Sequence, residues 1–65
     1  MKNKILTKIR LKRLEKNFSQ DYLASKIGIS QSYYARIESG KNELTLTSLL
    51  KIATVLEVSP KKFFQ

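Results

Sequence analysis

The sequence predicts an all-α fold, a compact bundle of five helices forming one domain over residues 1–65. Three observations lead there. Residues 19–41, SQDYLASKIGISQSYYARIESGK, contain two short apolar-periodic segments, each opened by Ser-Gln and separated by a single Gly. Elsewhere the apolar residues recur at helical spacing, with no segment that reads as a strand. The chain also has 65 residues with no Cys and no His. A domain of this length buries only about 60% of the surface its unfolded chain exposes, so a small apolar core must hold it without disulfide or thiolate–metal staples.

The first helix is expected over about residues 3–16, with Ile5, Ile9 and Leu14 as its apolar positions and Asn17 as a left-handed terminator where Gly would be easier. Ser19 is a side-chain acceptor placed to cap the second helix, about residues 20–27, which turns Leu23, Ala24 and Ile27 inward. Gly28 can adopt the left-handed conformation that stops this helix, so the turn is Gly28-Ile29-Ser30. Ser30 caps the third helix, residues 31–39, which buries Tyr34 and Ile37 and ends at Gly40. After a loop over 41–44, a fourth helix over about 46–56, capped by Thr45 or Thr47, places Leu46, Leu49, Ile52, Ala53 and Leu56 on one face. Ser59-Pro60 opens a fifth, since Ser suits the cap and Pro the first helical turn.

Charge narrows the partners. Thirteen Lys and Arg stand against five Asp and Glu, a formal net charge of +8. Such a chain attracts a polyanion, with nucleic acid the commonest; a membrane surface and simple Lys-rich solubility are the rival explanations. Lys2, Lys4, Lys8, Arg10, Lys12, Arg13 and Lys16 crowd the first segment, and Lys41, Lys51, Lys61 and Lys62 carry the field to the other end. No run of roughly 18–20 apolar residues exists to span a bilayer, and the basic N-terminus has no apolar signal-peptide centre, so a soluble, cytoplasmic protein is expected. Without His or Cys, and with Glu15, Asp21, Glu38, Glu43 and Glu57 as the whole carboxylate inventory, no metal, cofactor, small-molecule substrate or enzymatic activity is expected.

On a helical wheel of about 100° per residue from Gln31, Ala35 lies at about 40°, Ser39 at about 80°, Ser32 at about 100° and Arg36 at about 140°, opposite Tyr34 and Ile37. Gln and Arg read adenine and guanine edges bidentately, and the small Ala35 allows close approach and a methyl contact with thymine. The alternative is an ordinary solvated helix face; the paired caps and the charge favour base reading.

From Ile9 to Phe64 the chain resembles the Cro/repressor-type (lambda-repressor-like) helix-turn-helix domain of bacterial and phage transcription regulators. The resemblance rests on I-R-x-x-R, then S-Q-x-x-L-A-x-x-I-G-I-S-Q-S-Y-x-x-x-I-E-x-G-K, then L-x-x-L-x-x-I-A-x-x-L-x-V-S. NELTLTSLLKIATVLEVSPKKFF is also similar to the short controller proteins of restriction-modification systems. The sequence departs from the commonest pattern at Lys12, where Leu or Ile is frequent, and at Asn17, where Gly is usual.

The resemblance implies that Gln31, Ser32 and Arg36 contact bases, with Ala35 between them. It places Ser19, Gln20, Ser30, Tyr33, Ser39, Lys41 and Asn42 against backbone phosphates. Gln20 would also brace Gln31; for Gln20 and Ser30 helix capping is the competing role, and for Tyr33 packing on the helix edge. Arg13 and Glu38 match a structural ion pair between the first helix and the recognition helix. The implied function is sequence-specific binding of double-stranded DNA, as a homodimer on a palindromic operator. Leu50, Val55, Val58, Phe63 and Phe64 supply more apolar surface than so small a core needs and are the expected dimer contact, although Val58 and Phe63 could instead close the bundle. The alternative is an antitoxin-like protein-interaction module of the same fold that neutralises a partner protein. A basic amphipathic peptide on an anionic membrane surface is the third reading.

Overall fold

The computed structural model describes residues 2–65. Its elements are α1 (Lys2–Glu15), α2 (Gln20–Ile27), α3 (Gln31–Glu38), α4 (Leu46–Leu56) and a 3₁₀ helix (Pro60–Phe64), with no strand among the described residues. The expected fifth α-helix is therefore a 3₁₀ turn. Five residues are too few for a stable α-helical segment, the Ser59 side chain makes no capping bond, and the turn closes through Lys62 N–H to Ser59 C=O at 2.9 Å.

Three side-chain caps set where helices begin. Ser19 Oγ accepts from Tyr22 N–H at 2.9 Å and Ser30 Oγ from Tyr33 N–H at 3.1 Å. At α4 it is Thr45, not Thr47, that caps, accepting from Ser48 N–H at 3.1 Å. The ends follow one rule. Each α-helix closes with a paired Schellman bond: Asn17 to Leu14 and Phe18 to Arg13, Gly28 to Ser25 and Ile29 to Ala24, Gly40 to Ile37 and Lys41 to Arg36, Glu57 to Thr54 and Val58 to Ala53. The first residue of each pair is left-handed, with φ of 61° at Asn17, 83° at Gly28, 87° at Gly40 and 59° at Glu57. Phe18, Ile29 and Val58, which follow, fold back onto the core, whereas Lys41 stands exposed.

Ile9, Leu23, Ala24, Ile27, Tyr34, Leu49, Ile52, Ala53, Leu56 and Phe63 form one core, with α2 packed on α3 and α4, and α1 laid across α3, α4 and the 3₁₀ helix. Two expected apolar positions are corrected. Leu14 is 53% exposed: the inner stripe of α1 is Leu6, Ile9 and Arg13, at i, i+3 and i+7, and Leu14 lies five residues beyond Ile9 on another face. Leu46 is 68% exposed because it is the first residue of α4 and projects beyond the core that Leu49, Ile52, Ala53 and Leu56 line. No helix among the described residues is long and apolar enough to cross a membrane.

Glu57 has neither the freedom of Gly nor the local hydrogen bonding that lets Asn tolerate left-handed backbone, and its exposed pairing with Lys16 at 3.3 Å offsets little. Glu57→Gly is expected to raise the unfolding free energy by about 1 kcal/mol, and Asn17→Gly by less, in urea denaturation.

Candidate nucleic-acid interface

The turn Gly28-Ile29-Ser30 sets α3 against α2, and Tyr34 and Ile37 anchor the inner face of α3 with 0% and 1% exposure. Its opposite face is open. Gln31, Ser32 and Arg36 are exposed, with Ala35 half-buried between them, and Ser39 is exposed at the end of the helix. The Arg36 guanidinium lies 5.8 Å from the centre of the Tyr33 ring, a cation–π distance that leads the Arg36 side chain back along the helix toward its first turn.

The other expected backbone-contact residues surround this face. Ser19 and Ser30 are exposed at the starts of α2 and α3 while their hydroxyls cap those helices. The Ser30 and Ser32 hydroxyls stand 3.5 Å apart. Tyr33 is exposed on its edge. Past the helix, the Arg36 carbonyl accepts from Lys41 N–H at 2.8 Å, Asn42 N–H at 3.0 Å and Ser39 Oγ at 3.2 Å, which folds the loop tightly onto the end of α3. Lys41 is exposed there and Asn42 is half-buried.

Behind the face lies a polar cluster. Arg13 Nε and Nη2 each donate to Glu38 at 2.9 Å, a bidentate pair whose side chains are 9% and 4% exposed, and Arg13 Nη1 donates to the Phe18 carbonyl at 2.8 Å. Tyr34 Oη donates to Glu38 Oε2 at 2.6 Å and Gln20 Nε2 to Glu38 Oε1 at 3.1 Å. Gln31 Nε2 in turn donates to Gln20 Oε1 at 2.9 Å. Burial pushes the Glu38 carboxyl upward, but hydrogen bonds from Arg13, Tyr34 and Gln20 outweigh it and hold the group below its ordinary value. Burial, followed by the bond to Glu38, pushes the Tyr34 phenol up.

Sequence reasoning did not assign Tyr34 or Phe18 to this cluster. Tyr34 and Glu38 are four apart on one helix and therefore neighbours on its surface, which was the available signal. The Phe18 carbonyl had none. Among the proposed dimer residues, Phe63 is corrected: at 4% exposure it closes the core under α1 and α4 and has no surface to offer a partner. Val55 and Val58 are half-buried against the same core, whereas Leu50 and Phe64 are 44% and 62% exposed. No grouping of three or more potential metal ligands occurs among the described residues.

Because the folded-state carboxyl of Glu38 is depressed, its contribution to stability is complete above the unfolded value and is lost as pH falls through the folded one. Wild-type stability is thus expected to decline below about pH 4.5. Glu38→Gln should flatten that decline while costing about 3 kcal/mol at neutral pH, because it leaves the Arg13 charge buried without its partner. Urea denaturation across pH measures both effects.

The helix-turn-helix family pattern matches residues 9–63. The chain is 34% identical over 58 residues to the control protein C.MunI of Mycoplasma, an alignment covering 85% of this chain and 78% of the relative. It is 39% identical over 56 residues to the cryptic phage CTXphi transcriptional repressor RstR of Vibrio cholerae, covering 86% of this chain and half of that repressor's length. The crystal structure of the restriction-modification controller protein C.AhdI from Aeromonas hydrophila superposes with a TM-score of 0.88 at 33% identity, over 97% of this chain and 96% of that one. With the capped helix pair, its glycine turn and these matches together, the chain belongs to the helix-turn-helix family.

Proposed function

We propose that the protein is a sequence-specific regulator of transcription that binds double-stranded DNA as a homodimer on a palindromic operator, with α3 in the major groove. The carrying observation is the exposed face of Gln31, Ser32 and Arg36, held outward by the buried Tyr34 and Ile37. These side chains suit base edges, and the half-buried Ala35 lets the backbone approach. Ser19, Gln20, Ser30, Tyr33, Ser39, Lys41 and Asn42 ring that face and suit phosphates. Lys41 supports this reading most directly: where the other three helices tuck an apolar residue back onto the core, α3 presents an exposed cation. The net charge of +8 supplies long-range attraction to DNA, and the similarity to a control protein, a restriction-modification controller protein and a phage transcriptional repressor supports a regulatory role.

Dimerisation would place two copies of α3 about 34 Å apart in successive major grooves. Leu50 and Phe64 remain from the expected partner surface, and the exposed Leu46 lies one helical turn from Leu50 on α4. Leu46 and Phe64 also border one shallow apolar depression with Ile5, Leu44 and Leu49, giving a continuous patch.

Arg36→Ala is expected to weaken operator binding by about 1–3 kcal/mol and to relax preference at one base position. Lys41→Ala should weaken operator and random duplex alike and lower the slope of affinity against salt by about one phosphate contact. Equal losses on both duplexes for Arg36→Ala would remove it from the base-reading set. Sedimentation of the wild type against Leu50→Asp tests the partner surface: the wild type should dimerise with rising concentration and the variant remain monomeric.

A further inference from the structure

We propose that Glu38 is a positioning residue that sets the direction of the Gln31 amide through Gln20, and so makes the protein select adenine over guanine at the base pair Gln31 reads. The inference rests on the reading of α3 as the base-contacting helix, and concerns how its first residue discriminates.

Hydrogen-bond polarity carries the argument. An ionised carboxylate only accepts, and the Glu38 oxygens take two bonds from Arg13, one from Tyr34 and one from Gln20, filling about four lone-pair positions. Gln20 must therefore turn its NH₂ toward Glu38, at 3.1 Å. That leaves Gln20 Oε1 facing α3, where it can only accept, so Gln31 turns its own NH₂ inward, at 2.9 Å. An amide flip anywhere along this chain would set donor against donor or acceptor against acceptor. The direction imposed at a buried ion pair thus reaches an exposed side chain on the DNA face.

Gln31 then presents one remaining N–H beside its carbonyl oxygen. Adenine offers one acceptor, N7, beside one donor, N6–H, and matches that pair; guanine offers two acceptors, N7 and O6, one of which would meet the carbonyl oxygen. A Gln31 without the relay could turn both N–H groups to guanine. The relay removes that option before DNA arrives.

The relay predicts that reversing the polarity at residue 20 reverses the preference. Gln20→Lys places a donor-only side chain there, with Glu38 as its counter-ion, so the Gln31 carbonyl turns inward and both N–H groups turn out. Gln20→Met removes polarity altogether. Binding-site selection from random duplexes, with Gln31→Ala locating the base pair that Gln31 reads, should show adenine favoured by the wild type. Preference should shift toward guanine on the order of five-fold or more in Gln20→Lys, and fall toward none in Gln20→Met. Glu38→Gln, if folded by circular dichroism, should resemble Gln20→Met; if it does not fold, the Gln20 variants decide.

A prop or a phosphate contact at residue 20 would change overall affinity but not the adenine-to-guanine ratio. An unchanged ratio in both Gln20 variants, while Gln31→Ala erases the preference, overturns the relay and leaves the proposed function standing. No preference among duplexes in the wild type overturns the proposed function and the selectivity with it. The bond itself is read in the DNA-free protein by ¹⁵N–¹H spectra. One Gln31 side-chain amide proton should be displaced in the wild type and return toward the free-amide position in Gln20→Lys; identical spectra overturn the relay regardless of DNA.

Discussion

The pairing of Arg13 with Glu38 is the constraint on which the arrangement of the helices depends. Two opposite charges, 9% and 4% exposed, sit where a chain of this size can spare little core, and either alone would carry a large desolvation cost. The guanidinium answers that cost by spending all three nitrogens, two on the carboxylate of α3 and one on the Phe18 carbonyl between α1 and α2. Tyr34 and Gln20 complete the carboxylate, and no buried side-chain nitrogen or oxygen among the described residues lacks a partner. A hydrophobic pair of similar size could fill the same volume. It would not fix rotation and register at once, as a planar fork does when it must meet two oxygens and a carbonyl from separate segments.

Around this polar joint the apolar core does the bulk of the work, and the helix ends give it shape. Four Schellman endings turn the chain sharply out of its helices, and three of them return an aromatic or branched residue, Phe18, Ile29 or Val58, to the interior. Each ending therefore both stops a helix and adds to the core. At α3 the chemistry changes while the backbone geometry stays the same: the returning position carries an ammonium group on the outside.

Much of this was legible in the residues. Ser19, Gly28, Ser30 and Gly40 have strong local preferences that tertiary context did not override, so the boundaries of α2 and α3 follow from them to within a residue. The exposed face of α3 followed from periodicity, because Tyr34 and Ile37 are apolar and their opposites are not. In α1 periodicity misled. Arg13 occupies an inward position in the stripe of Leu6 and Ile9, and a pattern that equates inward with apolar passes over a buried charge and selects Leu14 instead. Phe63 and Phe64 are adjacent and identical in type; only the three-residue period of the final turn, which composition does not reveal, sends one inward and the other out. The full polar cluster was harder still, since it joins positions up to 25 residues apart and includes a backbone carbonyl, which no side-chain pattern encodes.

The Arg36 carbonyl accepts two successive main-chain N–H groups and a hydroxyl, so the loop bearing Lys41 and Asn42 is tethered to the same residue whose guanidinium faces outward. Main-chain freedom there is spent during folding rather than on docking. What a rigid duplex would still have to immobilise is chiefly the long side chains of Arg36 and Lys41, an entropic toll confined to their rotamers. Because the loop and the helix share this anchor, a shift of one would drag the other, and the two kinds of grip would tighten or slip together.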